Sequence, residues 1–418
     1  MKVLVCGANG FIGQALCTAL MNRGHRVIKG VRDSRQTDEM AMDFTTDVEP
    51  GDWASRLCGV DIVINAVGIL VERNGQTFDR IHHRAPAALF EAAAHAGVKR
   101  IVQISALGAQ TGSTAYFESK RRADESLRAL PVDHAVLRPA LVYGVSGASS
   151  RFFRTIAALP VHPLPDGGHQ TVRPIHIDDL ADVVVTLVDS DRSHRGVHDL
   201  VGATELAYRD MLATYRASMG MSRAWRVDIP KWMIDLSASL GDRLPGSMLT
   251  RDTWHMLQQG NTGDVAATAS LLGHLPAGIE SFVSSSEAGS LRSDALDVWR
   301  MMCLRIALAI VWLGTAICCA WIYPHADSLA LLERVHVTGV TALGLLYASI
   351  CVDAVLGVLT LVRPGKRLWW AQASLIAMYS VIVAFALPEY LYHPFGPILK
   401  NAPILASLAV LSMEETRS

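Results

Sequence analysis

The chain has 418 residues and a formal net charge of −1, so it is long enough for two domains and lacks the basic field that recruits nucleic acid. Its charge is unevenly spread: from Met301 onward it holds only 7 of the 38 Lys and Arg and 6 of the 39 Asp and Glu. The 7 cysteines (Cys6, Cys17, Cys58, Cys303, Cys318, Cys319, Cys351) form no Cys-x-x-Cys pair and no His/Cys ligand spacing. That pattern predicts reduced thiols and no metal site.

In chain order, the opening run MKVLVCGANGFIGQALCTAL is apolar enough to suggest a signal peptide. Glycines at three fixed places interrupt it and no small-residue cleavage site follows, so strand, turn and helix is the better reading. Lys2 to Cys6 is a short buried strand and Phe11 to Asn22 has helical spacing. Arg26 to Val31, Asp61 to Val67 and Arg100 to Ile104 are further strand runs, with a helix from Ala85 to Ala96 ended by Gly97. Ala135 to Arg138 is a strand stopped at Pro139, and Val197 to Val201 is a later one. Alternating strands and helices predict an α/β fold with a doubly wound parallel sheet over residues 1–283, the substrate side lying mainly in 145–280. Residues 284–299, serine-rich at first, read as a linker.

Gly7-Ala8-Asn9-Gly10-Phe11-Ile12-Gly13 joins the first strand to the first helix. In that context Gly7 permits a tight turn, Gly10 lets backbone approach a pyrophosphate, and Gly13 lets helix pack on strand. The helix N-terminus offers N–H donors to the phosphates. At the end of the second strand an NAD site would place an acid, whereas here Val31 is followed by Arg32, with Arg35 nearby. A guanidinium pairs bidentately with a 2′-phosphate, so NADP is favoured over NAD, unless Arg32 is a solvated loop residue. Asp43 and Phe44 could border the adenine. Asn65-Ala66-Val67-Gly68 places backbone where the ribose would lie.

Tyr116 and Lys120 are four apart, on one helical face, where an ammonium would lower the phenol pKa and make it a usable acid or base. Ser105, at a strand end, could hydrogen-bond a substrate carbonyl. His82 and His83 read as surface or helix-start residues. His176 with Asp178 and Asp179 reads as structural, and Trp225, Trp232 and Trp254 as packing for the substrate side.

Taken in order, the glycine fingerprint, Asn65–Gly68, Ser105, Tyr116 with Lys120, Arg138-Pro139-Ala140-Leu141-Val142-Tyr143-Gly144 and Arg173-Pro174-Ile175-His176-Ile177-Asp178-Asp179 resemble an extended or atypical short-chain dehydrogenase/reductase. They are most similar to the branch containing the nucleotide-binding accessory subunit of respiratory complex I, and the resemblance covers residues 1–280. It implies that Ser105 polarises a carbonyl, Tyr116 transfers a proton, Lys120 holds the ribose and tunes Tyr116, and Pro139 borders the cofactor. Ile81-His82-His83 stands where the family often has an asparagine. Members of the complex I branch can bind nucleotide without turnover; retention of Tyr116 and Lys120 favours activity here.

The tail has four apolar segments, Ile306–Pro324, Val337–Val362, Leu368–Pro388 and Phe395–Met413. The first three are long enough to cross ~30 Å of hydrocarbon, while the fourth, broken by Pro397 and Pro403, is a partial or interrupted span. Residues 300–415 resemble the DoxX-like family, a four-helix transmembrane bundle, with much of the likeness in His393–Pro403. Asp353, Lys400 and Asn401 are costly in lipid, so they should face the bundle interior and pair, as a quinone or lipid-headgroup pocket or as a stabilising polar pair. Arg363, Lys366 and Arg367 between the second and third segments, with Arg292, Arg300 and Arg305 beside the first, place both termini and the soluble domain in the cytoplasm, at a cytoplasmic (inner) membrane.

Together these features predict a membrane-anchored NADP(H)-dependent oxidoreductase acting on a small lipophilic carbonyl or quinone, in contact with membrane lipids. An NAD(P)-dependent epimerase or dehydratase, and a non-catalytic nucleotide-binding scaffold or sensor, are the rival expectations.

Overall fold

The computed structural model describes residues 1–73, 75–244, 247–392 and 398–414. They form two compact units, Met1–Ala295 and Leu296–Ser418.

In the first unit, seven strands form one parallel sheet: β1 (Lys2–Cys6), β2 (Arg26–Val31), β3 (Glu39–Ala41), β4 (Ile62–Asn65), β5 (Arg100–Ile104), β6 (Asp133–Pro139) and β7 (Gly196–Leu200). The order β7-β6-β5-β4-β1-β2-β3 reverses its direction of winding between β1 and β4. Chain leaving these two strands diverges, which opens a crevice at their carboxyl ends. β4 and β5 are buried along their whole length, as strands covered on both faces must be. Val3 and Val5 of β1 face α1 (Phe11–Asn22), while Leu4 and Cys6 face the opposite core with α2 (Ala85–His95) and α3 (Ala115–Arg128). A fourth helix, α4 (Ile177–Asp189), packs beside α1 on the first face through Leu180, Val184 and Leu187.

Strand and helix positions follow the apolar periodicity closely, with two departures. The helix expected from Ala85 begins earlier, as a π-helical turn over Asp79–Arg84 that runs straight into α2. Such turns add a residue to the helical ladder and often mark functional sites. Residues 284–299, read as a linker, are mostly helical: α5 (Ala288–Ile317) covers most of them, and the unit boundary falls after Ala295.

In the second unit, α5 continues as a π-turn to Ile322 and is followed by α6 (Gly339–Val362) and α7 (Lys366–Ala386). These are three helices long and apolar enough to cross a membrane. Val340 is 88% and Phe385 85% exposed, an outward apolar surface that suits lipid and not water. The helical membrane bundle is as expected, and its fourth member is the short one that the interrupted fourth segment implied. α8 (Asn401–Glu414) has 14 residues, which rise only about 21 Å and fall short of the hydrocarbon thickness. Residues 393–397, part of the segment that carried the DoxX resemblance, lie outside the described residues.

The polar groups of this unit are also arranged differently from expectation. Lys400 is exposed, and Asn401 donates from Nδ2 to Ser380 Oγ at 2.8 Å. Asp353 is buried, but it pairs with neither. The bundle's buried polar chain is instead Trp312 Nε1 to Gln372 Oε1 and Gln372 Nε2 to Thr360 Oγ1, both 2.8 Å. Arg334, in a short helix His325–Arg334 between the first two spans, pairs with Glu389 beyond the third at 2.5 Å. These two connections thus lie at the same end of the bundle.

Candidate active site

The turn after β1 is shaped by absent side chains. Gly7 adopts φ +79°, a left-handed conformation that L side chains resist. A Cβ on Gly13 would sit 2.1 Å from the Gly7 carbonyl oxygen, so only glycine lets α1 start this close to the strand. Gly10 is the N-cap of α1 and offers no side-chain cap, and the first turn carries no acid. The first N–H groups of α1 therefore remain for an anion, reinforced by the helix dipole.

Beside this turn lies a cavity of about 580 Å³. Gly7, Asn9 and Gly10 form one wall, Val67, Gly68 and Ile69 another, and Arg32, Arg35 and Phe44 the far end. Arg32 stands 4.0 Å from Asp43 and is more than half exposed, so its guanidinium stays accessible to a ligand. Glu39, also in the wall, accepts the backbone N–H groups of Arg35 and Gln36 at 2.6 and 3.0 Å. It thereby fixes the arginine loop. The dimensions and the uncapped helix fit a dinucleotide.

Several expected cofactor residues support this cavity without lining it. The Phe11 ring packs on Gly144 and Gly147, and Ile12 packs against the sheet core. Asp43 accepts from the backbone N–H and hydroxyl of Thr45, leaving Phe44 to face the space. Asn65 is fully buried and donates to Gln103 Oε1 at 2.8 Å, while its own Oδ1 accepts from Val67 N. Ala66 is half-buried against the core, and Pro139 completes β6 opposite Leu200. None of these six lines the cavity; Val67 and Gly68, from the β4 end, do.

The pair expected to be catalytic, Tyr116 and Lys120, sits on α3, whose N-cap Thr114 accepts from Phe117 N. Tyr116 and Lys120 are both buried. Lys120 Nζ donates to Ile104 O at 3.1 Å and lies 3.5 Å from Val67 O, spanning the carboxyl ends of β5 and β4. It would be 3.4 Å from a Cβ on Gly68, so the ammonium lies directly behind that wall of the cavity. Burial pushes the Lys120 ammonium down to about 8, against the opposing pull of Asp124. Tyr116 packs edge-on against Phe78, His82 and Phe117, and burial pushes its phenol up to about 12. The expected lowering by Lys120 is absent because desolvation in an aromatic nest prevails. A neutral phenol near pH 7 can donate a proton but is a poor base.

Ser105 is differently employed from expectation. Its hydroxyl donates to Asp124 Oδ2 at 2.9 Å, and the same oxygen accepts Arg138 Nε and Nη2 at 3.1 and 3.0 Å. Burial pushes the Asp124 carboxyl up, opposed chiefly by Arg138. Ser105 is thus part of a buried network joining α3 to β6. His82, read as a surface or helix-start residue, does stand at the helix start but is buried in the π-turn: Nε2 accepts from Ile69 N at 2.9 Å, and Nδ1 lies 3.1 Å from Ser119 Oγ. Ser119 in turn donates to Tyr116 O. Burial, then Lys120, holds the imidazole well below its usual pKa, so it is a neutral brace between the cavity wall at Ile69 and the Tyr116 helix. Asp124, His82 and Glu39 are the residues that the sequence reading missed. Their only signal was a polar residue at an apolar position of a helix or loop.

Elsewhere His176 behaves as structure, capping α4 by accepting from Asp178 N, and Asp179 accepts from Ala277 N. Trp254 is buried, but Trp225 and Trp232 are 79% and 65% exposed, contrary to the expectation that all three pack inside.

A doubly wound sheet, a glycine turn at its switch point and a buried Tyr/Lys pair define a dinucleotide-binding domain of the short-chain dehydrogenase/reductase type. Residues 7–191 match the NAD(P)H-binding family model and residues 309–409 that of the DoxX-like family. An uncharacterized chloroplastic protein of Arabidopsis thaliana is 30% identical over 220 residues, 46% of this chain and 72% of that protein. The chain thus belongs to the NAD(P)H-binding family of short-chain dehydrogenase/reductase-like proteins, joined to a DoxX-like membrane domain. Subunit 9 of the NADH dehydrogenase [ubiquinone] 1 alpha subcomplex, mitochondrial, from Arabidopsis thaliana is 30% identical over 46% of this chain and 51% of its own length. The ceramide reductase of Caulobacter vibrioides is 30% identical over 43% of this chain and 58% of its own length. The match spans only a little over half of these last two proteins.

Proposed function

We propose that the chain is a membrane-anchored, NADP(H)-dependent oxidoreductase that reduces a lipophilic carbonyl or a quinone. Bound NADPH supplies a hydride. Tyr116 Oη donates the proton that completes the alcohol, since its phenol is neutral over the working pH range. Lys120 holds the ribose hydroxyls and faces the developing oxyanion with positive charge. Arg32 and Arg35 take the 2′-phosphate, and the N–H groups of α1 take the pyrophosphate. The arginine-rich connections at Arg363, Lys366 and Arg367 favour a cytoplasmic position for the nucleotide domain. The ceramide and ubiquinone in the relatives' names support a lipophilic substrate.

The carrying observation is Lys120 Nζ between the ends of β4 and β5, behind Gly68, on the same helical face as Tyr116. Tyr116→Phe removes the donor and nothing else. It should lower turnover ~10²–10⁴-fold while leaving NADPH affinity unchanged; equal turnover removes Tyr116 from the chemistry.

A second reading, nucleotide binding without turnover, draws on Ser105 being engaged by Asp124. Tight NADPH binding with no oxidation by quinones, aldehydes or lipid carbonyls would establish it. An epimerase or dehydratase would transform substrate with no net NADPH consumption.

A further inference from the structure

The tryptophans that fail to pack inside belong to a larger feature. Strand Trp225–Ile229 leads through Pro230 into helix Lys231–Gly241. That helix buries Ile234 and Ala238 against Trp254. Its outer side is apolar as well: Trp232, Met233, Leu236 and Leu240 are all exposed and recur once per turn. Leu244 extends the stripe beyond the helix, and Trp225 and Val227 extend it along the strand. Soluble surfaces rarely leave this much contiguous apolar area bare, and such a patch marks a site of contact.

What contacts it follows from the rest of the chain. Only the ten residues 296–305 separate Ala295, the end of the first unit, from the charge-free stretch opening at Ile306. Even fully extended they reach no further than about 40 Å, so the first unit is permanently tethered near a bilayer. The two exposed tryptophans of this strand–helix segment are suited to the headgroup level, where an amphipathic ring is solvated at one end only. Arg223 and Arg243 flank the segment in sequence and form no ion pair among the described residues, which leaves their charge for lipid phosphates.

The helix is also connected to the reaction site. It packs on helix Arg251–Gln258 through Ile234 and Ala238 against Trp254, and Trp254 Nε1 donates to Asp235 Oδ1 at 2.8 Å. From the same second helix Met256 packs against the cluster of Phe78, Ala106, Phe117 and Tyr116. One helix thus forms the exposed face, and its partner forms part of the wall around the proton donor.

We propose that helix Lys231–Gly241 rests in the headgroup layer of the chain's own membrane, and that lipid-borne substrate enters past Met256 to Tyr116. The docking stands by itself; the entry route rests on the oxidoreductase reading above.

The test uses the full chain reconstituted into vesicles of phosphatidylcholine and phosphatidylglycerol, with plain or dibrominated acyl chains. The emission of wild type minus that of a Trp225→Phe/Trp232→Phe variant isolates these two rings from the membrane-domain tryptophans. Dibrominated lipid should quench this difference signal at least twofold. Identical emission in both lipids overturns the docking, including the case in which a second copy of the chain covers the patch. Leu236→Glu/Leu240→Glu should retain NADPH binding and reduction of a water-soluble carbonyl, while losing more than tenfold with a bilayer-embedded carbonyl. Equal loss with both substrates, or none with either, overturns the entry route. Quenching without turnover of any carbonyl sustains the docking and rejects the oxidoreductase reading instead.

Discussion

Lys120 and Tyr116 share one helical face, and burial acts on them in opposite directions, lowering the amine to about 8 and raising the phenol to about 12. The consequence for stability has a definite sign. Between pH 8 and 10.5 the unfolded chain binds a proton at Lys120 that the folded chain does not, so folding becomes more favourable as pH rises through that window. Below pH 8 the full cost of about 3 kcal/mol remains. Lys120→Met should therefore raise the apparent unfolding midpoint at pH 7, by about 1 kcal/mol after the loss of two hydrogen bonds to carbonyls. The gain should shrink above pH 8 while NADPH affinity falls throughout. A midpoint below wild type at pH 7 would contradict this account. Arg32 supplies the other prediction at this scale. Arg32→Ala should weaken NADPH by ~10–100-fold and leave NADH nearly unaffected, as measured by nucleotide fluorescence. Equal loss of both nucleotides would make Arg32 a loop residue without a phosphate role.

Between elements, the junction of α3 with β6 is held by a charge pair that water does not reach. Arg138 and Asp124 are both at least nine-tenths buried, and two guanidinium nitrogens meet one carboxylate oxygen. Removing one partner strands the other, which costs more than the intact pair contributes. Arg138→Met should destabilise the first unit by about 3–5 kcal/mol at neutral pH. Acidification should offset part of that loss, because an unpaired Asp124 is then accommodated as the neutral acid. A denaturation series in which Arg138→Met loses less than 1 kcal/mol would show that the site relaxes or hydrates. The same junction explains why Ser105 lies where it does: its hydroxyl adds a third hydrogen bond to Asp124 Oδ2 and ties the end of β5 to α3.

At the scale of the molecule, the chain is built for two solvents. The first unit buries its apolar side chains on both faces of a sheet, and the second turns them outward along three long helices. The first also carries the cavity beside the glycine turn. Ligand linkage then predicts that NADPH at 100 times its Kd stabilises this unit by about 2.7 kcal/mol. In detergent, the thermal transition that reports the sheet should move upward, and any transition of the apolar helices should not. A common shift of both transitions would mean that the two units unfold as one cooperative body.

Much of this was legible in the residues themselves. The strands, α1, the glycine turn and the three spans each depend on local requirements: an apolar run where both faces are covered, no Cβ at Gly13, enough uncharged length for hydrocarbon. The Tyr/Lys spacing was readable for the same reason, since four residues make one turn of helix. Environment was not readable in this way. His82 meets Ser119 across 37 positions and Ser105 meets Asp124 across 19, so their roles required segments far apart in the chain to be brought together. The fourth apolar segment, the failed Asp353–Lys400 pairing and the exposed Trp225 and Trp232 were likewise settled by placement in space. The sequence by itself determined which segments must be hidden from water, because that follows from composition and period. Only the tertiary structure decided which polar groups are desolvated and which apolar ones are left bare, because both depend on neighbours that no local pattern encodes.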